Sequence, residues 1–331
     1  MGKAVASLVR QQAKRLFDCM LDFEFSASHV AMGFFMAQNQ SHVLSPTSQR
    51  FFSQRLRMHF VEWGSRRAPT IVLVHGVRDH CRTWDDLILR LSAFGDHHFV
   101  APDLRGHGDS DWVQGSGYRY YDYLYDLHQL IEQNELGPVV LIGHSLGGAI
   151  AALFAGVYPE LVSKLILLEG IGLWTREQAE ASVAGQIREW SEVTRQLAGR
   201  EPRRYADLQT AYQRMQEANP QLSREQAYHL TLHGAVQLED GQFTWKYDQY
   251  TYNFLGVGLA KEQIIELWQN IAAPTLLINA DQGLESRTGQ DDTLQYFRNV
   301  QLRIVTDAGH WTHHDQPQQV TQLIAELLTA P

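Results

Sequence analysis

Apolar positions between residues 51 and 170 follow two alternating rhythms. In TIVLVH (70–75), HHFVAPD (97–103), VVLIGH (139–144) and KLILLEG (164–170) the apolar residues run together, as they do in strands covered on both faces. Between these runs, WDDLILRLSAF (84–94), DYLYDLHQLIEQ (122–133) and AIAALFAGVY (149–158) space their apolar residues at helical intervals. Upstream, FFSQRLRMHFVEWG (51–64) alternates like a hairpin and stops at Gly64. Strand–helix alternation of this kind predicts an α/β fold, a mostly parallel sheet with helices on both faces. From about Ile171 to Ile271 the rhythm lapses into a helical, aromatic stretch with no expected strand. It resumes with a strand at TLLINA (275–280), a helix at DDTLQYFRN (291–299), a strand at LRIVTD (302–307) and a closing helix at VTQLIAELL (320–328). The expected organisation is one core made of 51–170 and 272–331, interrupted by a helical insertion over 171–271.

Residues 1–50 read as a helical extension and linker. Val5, Leu8, Val9, Ala13, Leu16, Phe17 and Met20 form a stripe at helical spacing, and SHVLSPTSQ (41–49) has linker composition. The stripe and MGFFMA (32–37) are expected to dock on the body of the protein or on a second subunit, as in a homo-oligomer joined through this helix. No apolar stretch reaches the roughly 18–20 residues of a membrane span. Lys3, Arg10, Lys14 and Arg15 interrupt any signal-peptide core, and Ala6 stands where a myristoylation signal has Ser or Thr. A net charge of -9 argues against a nucleic-acid partner. Cys19 and Cys81 make neither a disulfide framework nor a zinc spacing, which fits a cytoplasmic location.

The candidate chemistry lies where the strands end. VVLIGH runs into GHSLGG (143–148) and then a small-residue helix. G-x-S-x-G is a weak signal alone; between a buried strand and a helix it describes a nucleophile elbow presenting Ser145. Attack by a serine on a carbonyl needs donors for the oxyanion. The backbone N–H of Leu146, at the helix start, and that of Val77, after His75-Gly76, are the candidates. A general base is expected on a loop after the last strand, and AGHWTHHDQP offers His310, His313 and His314. His310 directly follows the Ala308-Gly309 turn and is the expected base. His313 and His314 are expected to be solvated or to cap the final helix, and no metal is expected because no carboxylate or cysteine completes a ligand spacing. Two acids could orient the histidine: Glu169, ending strand 164–168, and Asp281, ending strand 275–280.

Taken in order, HFVEWG (59–64), VHG (74–76), PDLRGHGDS (102–110), GHSLGG (143–148) and GHW (309–311) resemble the α/β-hydrolase superfamily over about residues 51–331. VSKLILLEG, NPQLSREQAYHL and WKYDQ make the chain most similar to its serine hydrolase-like branch. The resemblance implies that the insertion is the lid this superfamily carries after its sixth strand. It also implies an acid after the seventh strand in most members, at the position held here by Gly283. Haloalkane dehalogenases that use a glutamate after the sixth strand also have glycine after the seventh, which favours Glu169 over Asp281. Those dehalogenases, like the epoxide hydrolases, need an aspartate nucleophile, and Ser145 stands in that place. The resemblance therefore implies a cofactor-independent serine hydrolase of carboxylic esters. Thioesterase, lactonase and carbon–carbon hydrolase action, or a ligand-binding receptor on the same scaffold, are the alternatives. Trp174, Trp190, Trp245, Tyr247, Tyr250, Tyr252 and Phe254 are expected to roof an acyl pocket suited to apolar or aromatic esters.

Overall fold

The computed structural model describes residues 44–115, 117–172, 182–253, 259–290 and 292–329. In chain order its strands are β1 (Thr47–Ser53), β2 (Leu56–Trp63), β3 (Thr70–Val74), β4 (His98–Pro102), β5 (Val139–His144), β6 (Val162–Leu168), β7 (Ala235–Gln237), β8 (Phe243–Trp245), β9 (Thr275–Ala280) and β10 (Val300–Val305). All except β7 and β8 join one 8-stranded sheet in the order β1-β2-β4-β3-β5-β6-β9-β10. β1, β2 and β4 are antiparallel to their neighbours at that edge, and the pairings from β4 onward are parallel.

Alternate side chains of the central strands feed two different cores, as the two-residue period of a strand requires. Val72 and Val74 of β3 pack with Leu127, Leu130 and Ile131 of α2 (Tyr120–Gln133) and with α3 (Leu146–Val157). Ile71 and Leu73 point the other way, toward Trp84, Leu87 and Ile88 around α1 (Asp85–Leu91) and Val320 and Ile324 of α9 (Pro317–Thr329). Each such fully buried aliphatic side chain contributes about 1.5–3 kcal/mol. Burial on both faces is why these strands read as unbroken apolar runs.

The segment between β6 and β9 departs from expectation in two ways. It holds α4 (Val183–Ala198), α5 (Leu208–Ala218) and α6 (Arg224–Gly234), but also a β7–β8 hairpin. Its turn runs through Asp240 and Gly241, the latter at φ +85°, a conformation glycine adopts without strain. The second departure is α7 (Lys261–Asn270), placed by sequence in the insertion. It packs against α3 of the core, with Trp268 2% exposed and stacked on Phe297 at 5.1 Å.

Elsewhere, β1 begins at Thr47, inside the stretch expected to be linker. The helix expected over 291–299 is a single 3-10 turn, Thr293–Tyr296, because Asp292 is left-handed (φ 57°) and does not start an α-helix. The last helices are α8 (Thr312–Asp315) and α9. Among the described residues, no helix is long and apolar enough to cross a membrane. The expected N-terminal helix and its docking stripe fall on residues outside those described.

Candidate active site

The carboxyl ends of β3, β5, β6, β9 and β10 face the same edge of the sheet, where open α/β sheets place their sites. At the end of β5 the chain reverses into α3 through Ser145, whose backbone is held at φ 55°, ψ -118°. For a non-glycine residue this region costs on the order of 1–3 kcal/mol. Room for the reversal comes from Gly143 and Gly147. A Cβ on Gly143 would lie 2.3 Å from the Gly147 carbonyl oxygen, and one on Gly147 would lie 2.2 Å from that of Val74. The elbow is locked on both sides, since Ser145 N–H donates to Leu168 (3.1 Å) and its carbonyl accepts from Ile171 N–H (3.2 Å).

His310 meets Ser145 from the loop after β10, with Nε2 2.8 Å from Ser145 Oγ. Its Nδ1 lies 3.4 Å from Oε2 of Glu169. Glu169 is fully buried and also accepts from the amides of Ala280 (2.6 Å) and Leu284 (3.0 Å). Arg287 Nη1 approaches its other oxygen at 3.2 Å. A Cβ on Gly283 would sit 2.1 Å from Glu169 Oε2, so the Glu169 carboxylate occupies the space a side chain at 283 would need.

Asp281 faces elsewhere. Its carboxylate accepts from the amides of Asp307 (3.1 Å) and Ala308 (3.2 Å), pinning the chain that leads to His310. The Ala308 amide, then that of Asp307, pulls its pKa down. Of the two candidate acids, the structure brings Glu169 to the histidine and places Asp281 behind its loop.

Two further histidines, His144 and His75, hold this geometry. His144, the variable residue of the elbow motif, is buried and donates from Nε2 to the His310 carbonyl oxygen at 2.8 Å. Burial, then the nearby His310 ring, pushes its pKa well down, so it is a neutral donor. His75 accepts from Leu104 N–H at Nε2 (3.0 Å), which leaves its proton on Nδ1 to donate to the Gly76 carbonyl at 2.7 Å. The Gly76 C=O and the Val77 N–H belong to one trans peptide and point oppositely. His75 therefore fixes the direction of the Val77 amide. Gly76 itself lies against the elbow, where an added Cβ would come 3.1 Å from Ser145 Cβ. Leu146 is the first residue of α3, and its amide lies at that helix's positive end.

His313 and His314 are not solvated. Both are buried in α8, where His313 stacks on Trp84 at 4.8 Å and His314 Nε2 lies 2.9 Å from Thr83 Oγ1. They are wedged between the elbow and α1 and do not cap the closing helix.

A cavity of about 480 Å³ opens beside Ser145 and His310. Its walls include Asn219, Leu222, Leu230, Gly234 and Trp245 from the segment between β6 and β9. Of the aromatic roof expected from sequence, Trp245 and Tyr247 line it, whereas Tyr250 packs on the core. Trp174, Phe254 and the side chain of Tyr252 lie outside the described residues. The lining also carries several cations, so the expected apolar roof is a mixed one.

Two clusters have metal-compatible spacing, His59/Cys81/Asp103 and Asp85/His229/His233. In the first, Asp103 already accepts from His59 Nδ1 (2.7 Å), Cys81 N–H (2.7 Å) and Asp109 N–H (2.9 Å). Burial, reinforced by Asp103, raises the Cys81 thiol pKa and keeps it a poor ligand. In the second, both carboxylate oxygens of Asp85 are held by Arg82.

Known proteins agree with this architecture. The model for the alpha/beta hydrolase family matches residues 71–323. A human serine hydrolase-like protein 2 is 27% identical over 286 residues, covering 80% of this chain and 88% of the relative. An esterase of Mycobacterium tuberculosis is 26% identical over 275 residues, covering 81% and 85%. Among solved structures, a thioesterase domain from the curacin biosynthetic pathway superposes with a TM-score of 0.73 at 24% identity, over 86% of this chain and 100% of that one. The fold and the serine hydrolase-like resemblance are those expected from the motifs, and the chain belongs to the alpha/beta hydrolase family.

Proposed function

We propose that this protein is a serine hydrolase that cleaves carboxylic esters through an acyl-enzyme on Ser145, with no cofactor in the reaction. One observation carries the reading: Ser145 Oγ, on a strained elbow, lies 2.8 Å from His310 Nε2 while Glu169 backs the opposite ring nitrogen. His310 takes the serine proton as Oγ attacks the substrate carbonyl carbon. The amides of Val77 and Leu146 receive the oxyanion, and His75 holds the first of them in position. Collapse of the tetrahedral intermediate expels the alcohol, which leaves with the proton from His310. Water, deprotonated by the same nitrogen, then attacks the acyl-enzyme and releases the acid. Glu169 keeps Nδ1 protonated and directed, and stabilises the imidazolium that forms in both steps.

The segment between β6 and β9 serves as the cap, since α5, α6 and the β7–β8 hairpin supply walls of the cavity above Ser145. Thioesters and lactones would pass through the same intermediates. A fluorophosphonate probe tests the nucleophile directly. Rapid stoichiometric labelling at Ser145, with turnover across a panel of esters, thioesters and lactones, is the expected result. A protein that binds ligands but is not labelled would be a receptor on a hydrolase scaffold, and the proposal would fall.

A further inference from the structure

The chain carries a net charge of -9, yet the cavity beside Ser145 is lined by Arg78, Arg203, Arg214 and Lys246. Among the described lining residues the single carboxylate is Asp79, and it is engaged locally, accepting from His80 N–H at 2.8 Å. Lys246 is balanced by Asp109 at 2.9 Å, so it adds little field of its own. Arg203 and Arg214 differ. Arg214 approaches Glu217 of its own helix at 3.7 Å, beyond hydrogen-bonding distance. Arg203 lies over the ring of Tyr205, 5.8 Å from the centroid. A guanidinium against an aromatic face keeps its N–H edge available for the paired oxygens of a carboxylate or phosphate. Like charges around a cleft also concentrate the field inside it. An ordinary neutral ester gives these charges nothing to bind.

Resting on the serine-hydrolase reading, we propose that the substrate carries an anionic group, a carboxylate or phosphate, several bonds from the scissile carbonyl, and that Arg203 and Arg214 receive it. Leu222, Leu230 and Trp245 supply an apolar wall for the chain between the two ends. This replaces the plain apolar or aromatic ester expected from the aromatic residues alone.

The test uses matched pairs. Mono(para-nitrophenyl) adipate is compared with para-nitrophenyl hexanoate for an anion on the acyl side. The acetate ester of para-hydroxyphenylpropionic acid is compared with that of its amide for an anion on the alcohol side. A phosphonate in place of the adipate carboxylate distinguishes the two anions. At low salt, at least one anionic member should exceed its neutral partner about tenfold in kcat/KM, mainly through KM. The preference should shrink toward unity as salt approaches about 1 M, where the screening length is about 3 Å. Arg203→Gln and Arg214→Gln should each lower turnover of the anionic ester about two- to fivefold and leave the neutral one unchanged. Equal wild-type rates within both pairs, or variants that slow charged and neutral esters alike, would overturn the inference. Calorimetry with Ser145→Ala and the same pairs reads the preference as binding, independent of turnover. Anion-selective binding without any Ser145 labelling would count against the hydrolase reading and leave the anion site standing.

Discussion

Two neighbouring parallel strands each end in an acid, and the two acids have opposite fates. β6 delivers Glu169 into a fully buried position against His310 Nδ1, with two amides and Arg287 around it. β9 delivers Asp281 to the surface, where it accepts from the amides of the loop that carries His310. Strand position is nearly equivalent, so the difference comes from the next residues. Gly283 leaves open the volume that the Glu169 carboxylate fills. An acid becomes the histidine's partner when the facing loop vacates the space between them. Its identity is thus decided jointly at 169 and 283.

The largest effects should come from the groups both acids serve. Ser145→Ala and His310→Ala should each lower ester kcat by about 10⁴-fold or more, because triad members act as a unit. Near wild-type turnover in either variant would dissolve the comparison, since there would be no site for an acid to support. Next, Glu169→Gln should cost about 10²–10⁴ in kcat, the range expected when a triad acid becomes an amide and misdirects the histidine. Circular dichroism should show the fold intact.

Gly283→Asp sharpens the contrast. Alone it should damage activity, because its Cβ would fall 2.1 Å from Glu169 Oε2. Combined with Glu169→Gly it should recover part of the loss, by moving the acid to the neighbouring strand. A double variant no better than Glu169→Gly would mean that the space at 283 is not the deciding feature. Asp281→Asn should be milder, about tenfold or less in kcat, since the amide oxygen still accepts one loop N–H and the effect reaches His310 only through the backbone. A larger loss from Asp281→Asn than from Glu169→Gln would reverse the assignment.

Much of this is legible in the sequence. Two-sided burial writes itself into β3, β5, β6 and β9 as continuous apolar runs, and Gly143 and Gly147 mark a turn that tolerates no side chain. Ser145 and Glu169 are readable because each directly follows a strand end, and His310 because it follows the Ala308-Gly309 turn after the last strand. The β7–β8 hairpin is not, since three-residue strands leave too little alternation to outweigh their helical surroundings, even with Asp240-Gly241 between them. The 291–299 stretch has helical composition but a left-handed Asp292, which periodicity does not register. The role of His144 is not legible in sequence, because its bond to the His310 carbonyl spans 166 residues.

The comparison extends to the three histidines of AGHWTHHDQ, and here the smallest effect at neutral pH is expected. His310 is half-buried and hydrogen-bonded at both nitrogens, whereas neither ring nitrogen of His313 finds a partner among the described residues. Burial, then the adjacent His314 ring, pushes the His313 pKa well below 6.5, and burial brings His314 down to about 4. A histidine kept neutral in the fold binds fewer protons folded than unfolded. Its contribution to stability is complete above the unfolded pKa and is lost as pH falls from about 6.5 toward the folded value. Thermal unfolding should therefore occur at a lower temperature near pH 5 than near pH 7, by about the same margin in Ser145→Ala as in wild type. His313→Leu keeps an apolar side chain against Trp84 and removes a group that must be buried uncharged. At neutral pH it should alter stability by less than about 1.5 kcal/mol, and it should flatten the acid slope. A variant whose unfolding temperature still falls as steeply between those pH values as wild type would place the acid sensitivity outside His313.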